Sequence, residues 1–231
     1  GTDIISLFFA GNPILPVYRG ELQCIGLGMN VKIFNDAGNP VIDEKGELVC
    51  TAPFPSMPIY FWNDSEGKKY QQAYFDKFPN VWTHGDYAEI NDHGGAVIYG
   101  RSDAILNPGG IRIGTAEIYQ QLEQIHEILE GLAIGQAWAG SERIILFVVL
   151  RDELQLNTAI IKKIKDSIRG NASPHHVPAK IIQVPELPRT ISGKIVEIAV
   201  KKIVHNQPVK NKEALANPEA LEYFKNLDEL R

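Results

Sequence analysis

Over the first hundred positions the apolar residues fall in short runs broken by turn residues. Residues 4–9, 20–27, 31–34 and 46–51 read as strands. Gly11-Asn12-Pro13, Gly28-Met29-Asn30 and the segment 35–40 separate them. The stretch 52–58 carries Pro53, Pro55 and Pro58, which remove the backbone donors that a central strand or a helix needs. Residues 68–75 read as a short helix. Residues 86–91 and 96–100 flank Asp92-His93-Gly94-Gly95, a hairpin turn. Short strands joined by turns predict a small barrel or sandwich.

The pattern changes beyond residue 100. Thr115 is placed to cap a helix reaching about Ile128, with Ile118, Leu122, Ile125 and Leu129 on one face. Residues 132–138 and 144–150 are strands around Ala139-Gly140-Ser141-Glu142. Asn157 or Thr158 opens a helix carrying Ile160, Ile161, Ile164 and Ile168, and Gly170-Asn171 ends it. Residues 180–184 form a strand, and 195–205 a helix with Ile195, Ala199 and Ile203 in line. The tail from Asn206 is polar, with a last helix near 218–227. The predicted class is α+β: a β-rich, barrel-like part over 1–102, then a small α+β domain with a C-terminal tail over 103–231.

Charge changes at the same place. Residues 1–103 hold 7 Lys+Arg and 13 Asp+Glu, whereas 104–231 hold 16 and 15. The net charge of −5 argues against a nucleic-acid-binding surface. No apolar run reaches the length of a membrane span, so no membrane partner is expected. Two cysteines, Cys24 and Cys50, are too few for a disulfide scaffold and read as buried strand thiols. These features together predict a cytoplasmic protein.

Four clusters could carry chemistry. Ser192-Gly193-Lys194 sits on a glycine turn before a helix, where a lysine can project toward an oxyanion or phosphate. It is not a phosphate-cradling P-loop, because Pro188 and Ile195 stand where that motif needs Gly and Ser or Thr. Gly100-Arg101-Ser102-Asp103 and Asn107-Pro108-Gly109-Gly110-Ile111-Arg112 bring two arginines suited to phosphate or ribose oxygens. Trp82-Thr83-His84-Gly85-Asp86 offers a carboxylate entering a strand, and Thr2-Asp3 a hydroxyl and carboxylate for a phosphate and Mg²⁺. Each has a plain alternative: an exposed turn lysine, a solvated linker, an Asp in a turn, a chain end. His175-His176 lack metal-ligand spacing and read as a solvated pair. Trp62, Trp82 and Trp138 read as packing residues, and Lys162-Lys163-Ile164-Lys165 as a solvated helix face.

In order, Thr2-Asp3, His84-Gly85-Asp86, Gly100-Arg101-x-Asp103, Asn107 to Arg112 followed by Gly114-Thr115-Ala116-Glu117-Ile118, and Leu187-Pro188-Arg189-Thr190-x-Ser192-Gly193-Lys194 resemble the adenylate-forming acyl-CoA synthetase superfamily. Pro16-Val17-Tyr18-Arg19-Gly20-Glu21, Pro53-Phe54-Pro55-Ser56-Met57-Pro58, Asn107-Pro108-Gly109-Gly110-Ile111-Arg112-Ile113-Gly114-Thr115 and the tail segments 206–215 and Asn217-Pro218-Glu219-Ala220 narrow the resemblance to its acetoacetate-activating members. The resemblance implies an acid–thiol ligase of ketone-body and lipid metabolism. Its substrates would be acetoacetate, ATP and CoA, with Mg²⁺ as cofactor. An acetate or other short-chain acid ligase, a noncatalytic binding module and an unrelated α+β protein remain as alternatives.

Carried over residue by residue, the resemblance implies that Asp86 and Arg101 hold the ribose, Thr2 meets the α-phosphate and Asp3 supports Mg²⁺. Lys194 would act on the acid and the α-phosphate, and Asp103 would be the hinge between an adenylation domain ending at 102 and a mobile C-terminal domain. Gly110, Arg112 and Arg169 would meet CoA. The superfamily's Ser/Thr/Gly-rich phosphate loop has no match here. The implied reading is a C-terminal fragment, inactive alone, with exposed strand edges that favour self-association.

Overall fold

The computed structural model describes residues 1–209 and 211–231; Lys210, in the polar tail, lies outside the described residues. The chain forms two compact units, Gly1–Ser102 and Asp103–Arg231.

In the first unit β1 (Phe9–Ala10) pairs with β2 (Cys24–Ile25). β3 (Val31–Phe34), β4 (Pro40–Val41), β5 (Gly46–Cys50), β6 (Trp82–Ile90) and β7 (Ala96–Arg101) form an antiparallel sheet in the order β4-β3-β5-β6-β7. Helix α1 (Lys68–Tyr74) covers part of it. The expected barrel does not close: β4 and β7 are the sheet's outer strands. The early strands are also shorter than expected. Residues 2–5 turn, and Ile5 takes a positive φ of 46°, so Ile4 is buried while Ile5 is exposed.

Local chemistry accounts for the hairpins. The Asn35 side chain accepts from the Ala37 and Asn39 amides, closing the β3–β4 turn. Asn91 N–H donates to the Gly95 carbonyl, closing β6–β7. Trp82, 1% exposed, anchors the core with Tyr74 stacked on it at 3.7 Å and Phe54 against it edge-on at 5.3 Å. Trp62 is 84% exposed, and Trp138 lies under the Arg143 guanidinium at 3.5 Å, so Trp82 alone is the packing residue expected of all three. Cys50 is buried and Cys24 half-buried.

The second unit is built on a three-stranded sheet. β8 (Ile128–Trp138) and β9 (Ser141–Leu150) make a hairpin whose turn, Ala139-Gly140, uses two positive φ angles. β10 (Lys180–Gln183) joins β9 in parallel. Helices α2 (Thr115–Leu122) and α3 (Thr158–Asn171) pack on one face with Ile144, Leu146, Val148 and Leu150. Helix α4 (Glu197–Val204) and the tail pack on the other with Ile145, Phe147 and Val149. Both faces of β9 are therefore buried, which is why 144–150 is a continuous apolar run rather than an alternating one.

Three helix boundaries differ from expectation. α2 stops at Leu122, because the chain turns at Ile125 and enters β8, leaving Leu129 exposed. α4 begins at Glu197, because Ile195 bridges back to Arg189. The tail segment Pro218–Phe224 is 3₁₀ rather than α-helical. Asn157 caps α3 by accepting from the Ala159 and Ile160 amides.

Candidate functional site

Strand irregularities shape the candidate site of the first unit. Between the pairs Glu47–Tyr87 and Val49–Thr83, one residue of β5 faces three of β6, so His84-Gly85-Asp86 bulges out of the ladder. Gly85 adopts a φ of +81° there. Asp86 then stands directly opposite Arg101 on β7. The Arg101 guanidinium donates to the Asp86 carboxylate at 3.4 Å and to the His84 carbonyl at 3.1 Å. Half-exposed, the pair presents a carboxylate and a guanidinium side by side, a donor–acceptor set suited to vicinal hydroxyls.

Gly85 is required on two counts. A Cβ there would lie 2.4 Å from Arg101 Nη2, and the positive φ disfavours any side chain. Gly85→Ala is expected to displace Arg101 and destabilise the chain by about 1–2 kcal/mol. A urea titration checks this, and in an Arg101→Ala background the cost should shrink, because the clash is gone.

Behind the pair lies an aromatic and histidine wall. Trp82 Nε1–H donates to His84 Nδ1 at 3.3 Å, so the neutral imidazole carries its proton on Nε2, 3.7 Å from Asp86 Oδ2. Phe8 packs edge-on to the ring at 4.9 Å. Burial pushes His84 below its ordinary value, against the opposing pull of the Asp86 and Asp3 carboxylates. The unfolded chain takes up this proton near pH 6.5, but the folded chain resists it. The stabilising contribution is therefore complete above about pH 6.5 and is lost as pH falls through the folded value. His93 has the opposite shift, raised chiefly by its hydrogen bond to Glu21, so a variant is needed to isolate His84. Wild type should lose stability relative to His84→Gln between pH 7 and 5 in urea titrations. Parallel pH profiles would refute this.

Thr2 and Asp3 lie in the turn at residues 2–5, and both are exposed. Tyr74 donates its hydroxyl to Asp3 Oδ2 at 2.9 Å, tying that turn to α1. Burial and the Asp3 carboxylate push the Tyr74 phenol up, so it stays a donor. Among the described residues no three His, Cys, Asp or Glu side chains gather as a metal cage. Asp3 nonetheless fits Mg²⁺, which commonly takes one or two carboxylates and completes its shell with substrate phosphates and water.

The remaining candidates belong to the second unit. Asp103 lies in the 3₁₀ turn Ser102–Ala104 that opens it. Leu106 and Ile113, both buried, exchange backbone hydrogen bonds and close a loop over residues 107–112. Glu142 accepts from the Asn107 amide at 2.6 Å. Gly110, at φ +88°, has no atom within 4 Å of a would-be Cβ, so its backbone is open to close approach. Arg112 is half-buried at the end of this loop. Arg169 lies on the last turns of α3, paired with Asp166 at 3.5 Å.

Lys194 ends a hairpin turn over residues 190–194. Thr190 N–H donates to the Lys194 carbonyl at 2.8 Å, Gly193 N–H donates to the Thr190 carbonyl at 2.8 Å, and Lys194 N–H donates to Thr190 Oγ1 at 3.1 Å. Gly193 takes a φ of +84°, which the turn needs. Lys194 itself is exposed, and no hydrogen bond or ion pair engages its ammonium among the described residues. Immediately after the turn, Tyr119 donates to the Glu197 carboxylate at the start of α4, and the Ala133 amide donates to the Tyr119 hydroxyl at 3.0 Å.

Several of these supports escaped the sequence reading. His84 and Trp82 sit at i and i+2 on one strand, a spacing that signals a shared face, but the bulge that aims Asp86 carries no such signature. Tyr74, Tyr119 and Glu197 meet their partners only across distant segments. His176 is not solvated: its side chain is 12% exposed, Nδ1 lies 2.8 Å from Ser173 Oγ, and Nε2 lies 3.6 Å from Glu117. Lys162 and Lys163 are exposed as expected and pair with Asp166 and Glu127.

Residues 119–194 match the family described as AMP-binding enzyme C-terminal domain. The chain is 62% identical over its whole length to an acetoacetyl-coenzyme A synthetase of Rhizobium meliloti (strain 1021), covering 36% of that protein. It is 47% identical to an acetoacetyl-CoA synthetase of Xenopus tropicalis, again over all of this chain and 35% of that one. The structure of acetoacetyl-CoA synthetase from Streptomyces lividans superposes with a TM-score of 0.92 at 42% identity, covering 97% of this chain and 34% of that one. An anthranilate CoA ligase, AuaEII, solved with anthranoyl-AMP, shares the fold at a TM-score of 0.70 and 24% identity over 84% of this chain and 37% of its own. The chain thus spans about a third of the length of the relatives it matches.

Proposed function

We propose that this chain, whose residues 119–194 match the AMP-binding enzyme C-terminal domain model, is the C-terminal part of an acid–thiol ligase that joins acetoacetate to CoA. The observation that carries the reading is the 62% identity to an acetoacetyl-coenzyme A synthetase across every residue of this chain.

In the first step the acid's carboxylate attacks the α-phosphate of ATP, giving an acyl-adenylate and pyrophosphate. In the second the CoA thiol attacks the acyl carbon and AMP leaves. Asp86 accepts from a ribose hydroxyl while Arg101, held 3.4 Å away, donates to the neighbouring oxygen. Thr2 contacts the α-phosphate. Asp3, steadied by Tyr74, supports Mg²⁺, which when bound offsets phosphate charge. Lys194 places its exposed ammonium between two anions that must approach each other, lowering their repulsion and stabilising the charge that builds at phosphorus.

Asp103 acts as the hinge residue that lets the domain after it change orientation between the steps, as domain rotations need only a few backbone torsions. Gly110 lets the pantetheine arm run close to the backbone, and Arg112 and Arg169 meet CoA phosphates. Among the described residues no helix is long and apolar enough to cross a membrane. A cytoplasmic location and a place in ketone-body and lipid metabolism complete the proposal.

The test is ATP–pyrophosphate exchange by the complete enzyme, with acetoacetate and acetate as competing acids. Exchange with acetoacetate over acetate supports the reading. Preference for acetate transfers the chain to a short-chain acid ligase, and no exchange with either acid overturns it. The 231-residue chain alone should show no exchange.

A further inference from the structure

The turn bearing Lys194 is built on residues outside the turn itself. Arg189, at its base, is the hub. Its Nη1 donates to the Gly193 carbonyl at 2.7 Å, inside the turn and one residue before Lys194. Its Nη2 donates to the Glu130 carboxylate on β8. One planar guanidinium thus spans from the turn to the central sheet, and its fork fixes the angle between them.

The backbone of Arg189 is held by the tail. Its N–H donates to Asn217 Oδ1 at 2.8 Å, and its carbonyl accepts from the Ala216 amide at 2.8 Å. Asn217 Nδ2 donates in turn to the Leu187 carbonyl at 3.0 Å and to Glu186 at 2.8 Å. Ile191 N–H donates to the Ala214 carbonyl at 3.0 Å, and Thr190 bridges to Leu215. Leu215 is buried in the core formed with α4. Residues 214–217 therefore lie as an added strand-like segment along the base of the lysine turn. They fall beyond residue 194, where the family match ends.

We propose that Arg189 and Asn217 are positioning residues for Lys194: through the Gly193 carbonyl and the Arg189 backbone they hold the turn in one geometry, so that the lysine reaches the reacting carboxylate and phosphate pre-oriented. The proposal rests on the reading of Lys194 given above. A flexible four-carbon side chain on a glycine turn has many poses, and a loss of alignment of about 1 Å can cost on the order of 10²-fold in rate. The glycine needed for the bend would loosen the turn unless its carbonyl were tied down, and Arg189 ties it.

The test uses the complete enzyme with Lys194→Ala, Arg189→Ala, Arg189→Lys and Asn217→Ala. Three readouts are compared: acetoacetate-dependent ATP–pyrophosphate exchange, thioester formation from supplied acyl-adenylate, and amide hydrogen exchange at Gly193 and Lys194. Arg189→Ala should lower kcat for exchange by about 10²-fold, with KM for ATP little changed. Asn217→Ala should lower it less. Arg189→Lys should be intermediate, since an ammonium keeps the charge but not the fork. Thioester formation should be unchanged in all of them, which also reports that each variant is folded. The Gly193 and Lys194 amides should exchange faster in the Arg189 and Asn217 variants.

If Lys194→Ala abolishes the first step while Arg189→Ala and Asn217→Ala leave it unchanged, the positioning role is wrong and the lysine reading stands. If Lys194→Ala keeps the first step, the lysine reading itself fails. Equal loss of both steps in the Arg189 and Asn217 variants, without faster exchange at the turn, marks a general structural role and also overturns the inference.

Discussion

Lys194→Ala in the complete enzyme should lower the rate of adenylate formation by about 10²–10³-fold, the scale expected when one preorganised charge at a reacting phosphate is removed. Thioester formation from supplied acyl-adenylate should be spared. The division follows from where the proposed two-step reaction needs the charge. In the first step a carboxylate must approach a polyphosphate, and an ammonium between them offsets repulsion that rises toward the transition state. In the second a thiol attacks the acyl carbon and AMP leaves, so no carboxylate has to approach the polyphosphate. The exposed position of Lys194 on a turn tied internally by Thr190 means that alanine can replace it without opening the core. Separate assays of the two steps check the prediction; a matching fall in both would remove Lys194 from the role proposed for it.

The largest expected loss of stability comes from Phe147→Ala. Phe147 is fully buried at the centre of β9, paired with Leu132 across the hairpin and with Ile182 on the parallel strand. Phe224 of the tail meets its ring edge-on at 4.8 Å. Removing the ring deletes a large buried apolar surface and leaves a cavity bounded by strands that cannot move together without breaking their ladders. The expected cost is about 3–5 kcal/mol. Phe224→Ala should cost a similar amount, and the double variant less than the sum, since both rings line one cavity. Denaturant titration checks this. Strict additivity would mean that the tail does not share the core of β9.

That tail marks the limit of reading by pattern. Its residues are mostly polar in sequence, and the one helix expected there, near 218–227, carries no sign of the face it would cover. Yet Leu215, Leu221, Phe224 and Leu230 are all buried against the sheet. Such spacing becomes meaningful only when the face it covers is known. The same holds for the bulge at His84-Gly85-Asp86. A glycine before a carboxylate is common in turns, and its role here depends on the register of β6 against both β5 and β7.

The sequence by itself determined the α+β class, the change of character near residue 100, most strands and helices, and the ordered motifs that carry the family resemblance. These are local properties: apolar period, turn residues, caps and spacing act within a few residues of one another. Only the tertiary structure decided that Arg101 lies against Asp86, that burial pushes His84 below its ordinary value, that both faces of β9 are covered, and that Arg189, Glu130 and Asn217 brace the Lys194 turn. Each of these joins residues from separate segments, in the last case 59 residues apart for Arg189 and Glu130. Such contacts arise from packing and strand register, which no local window of sequence contains.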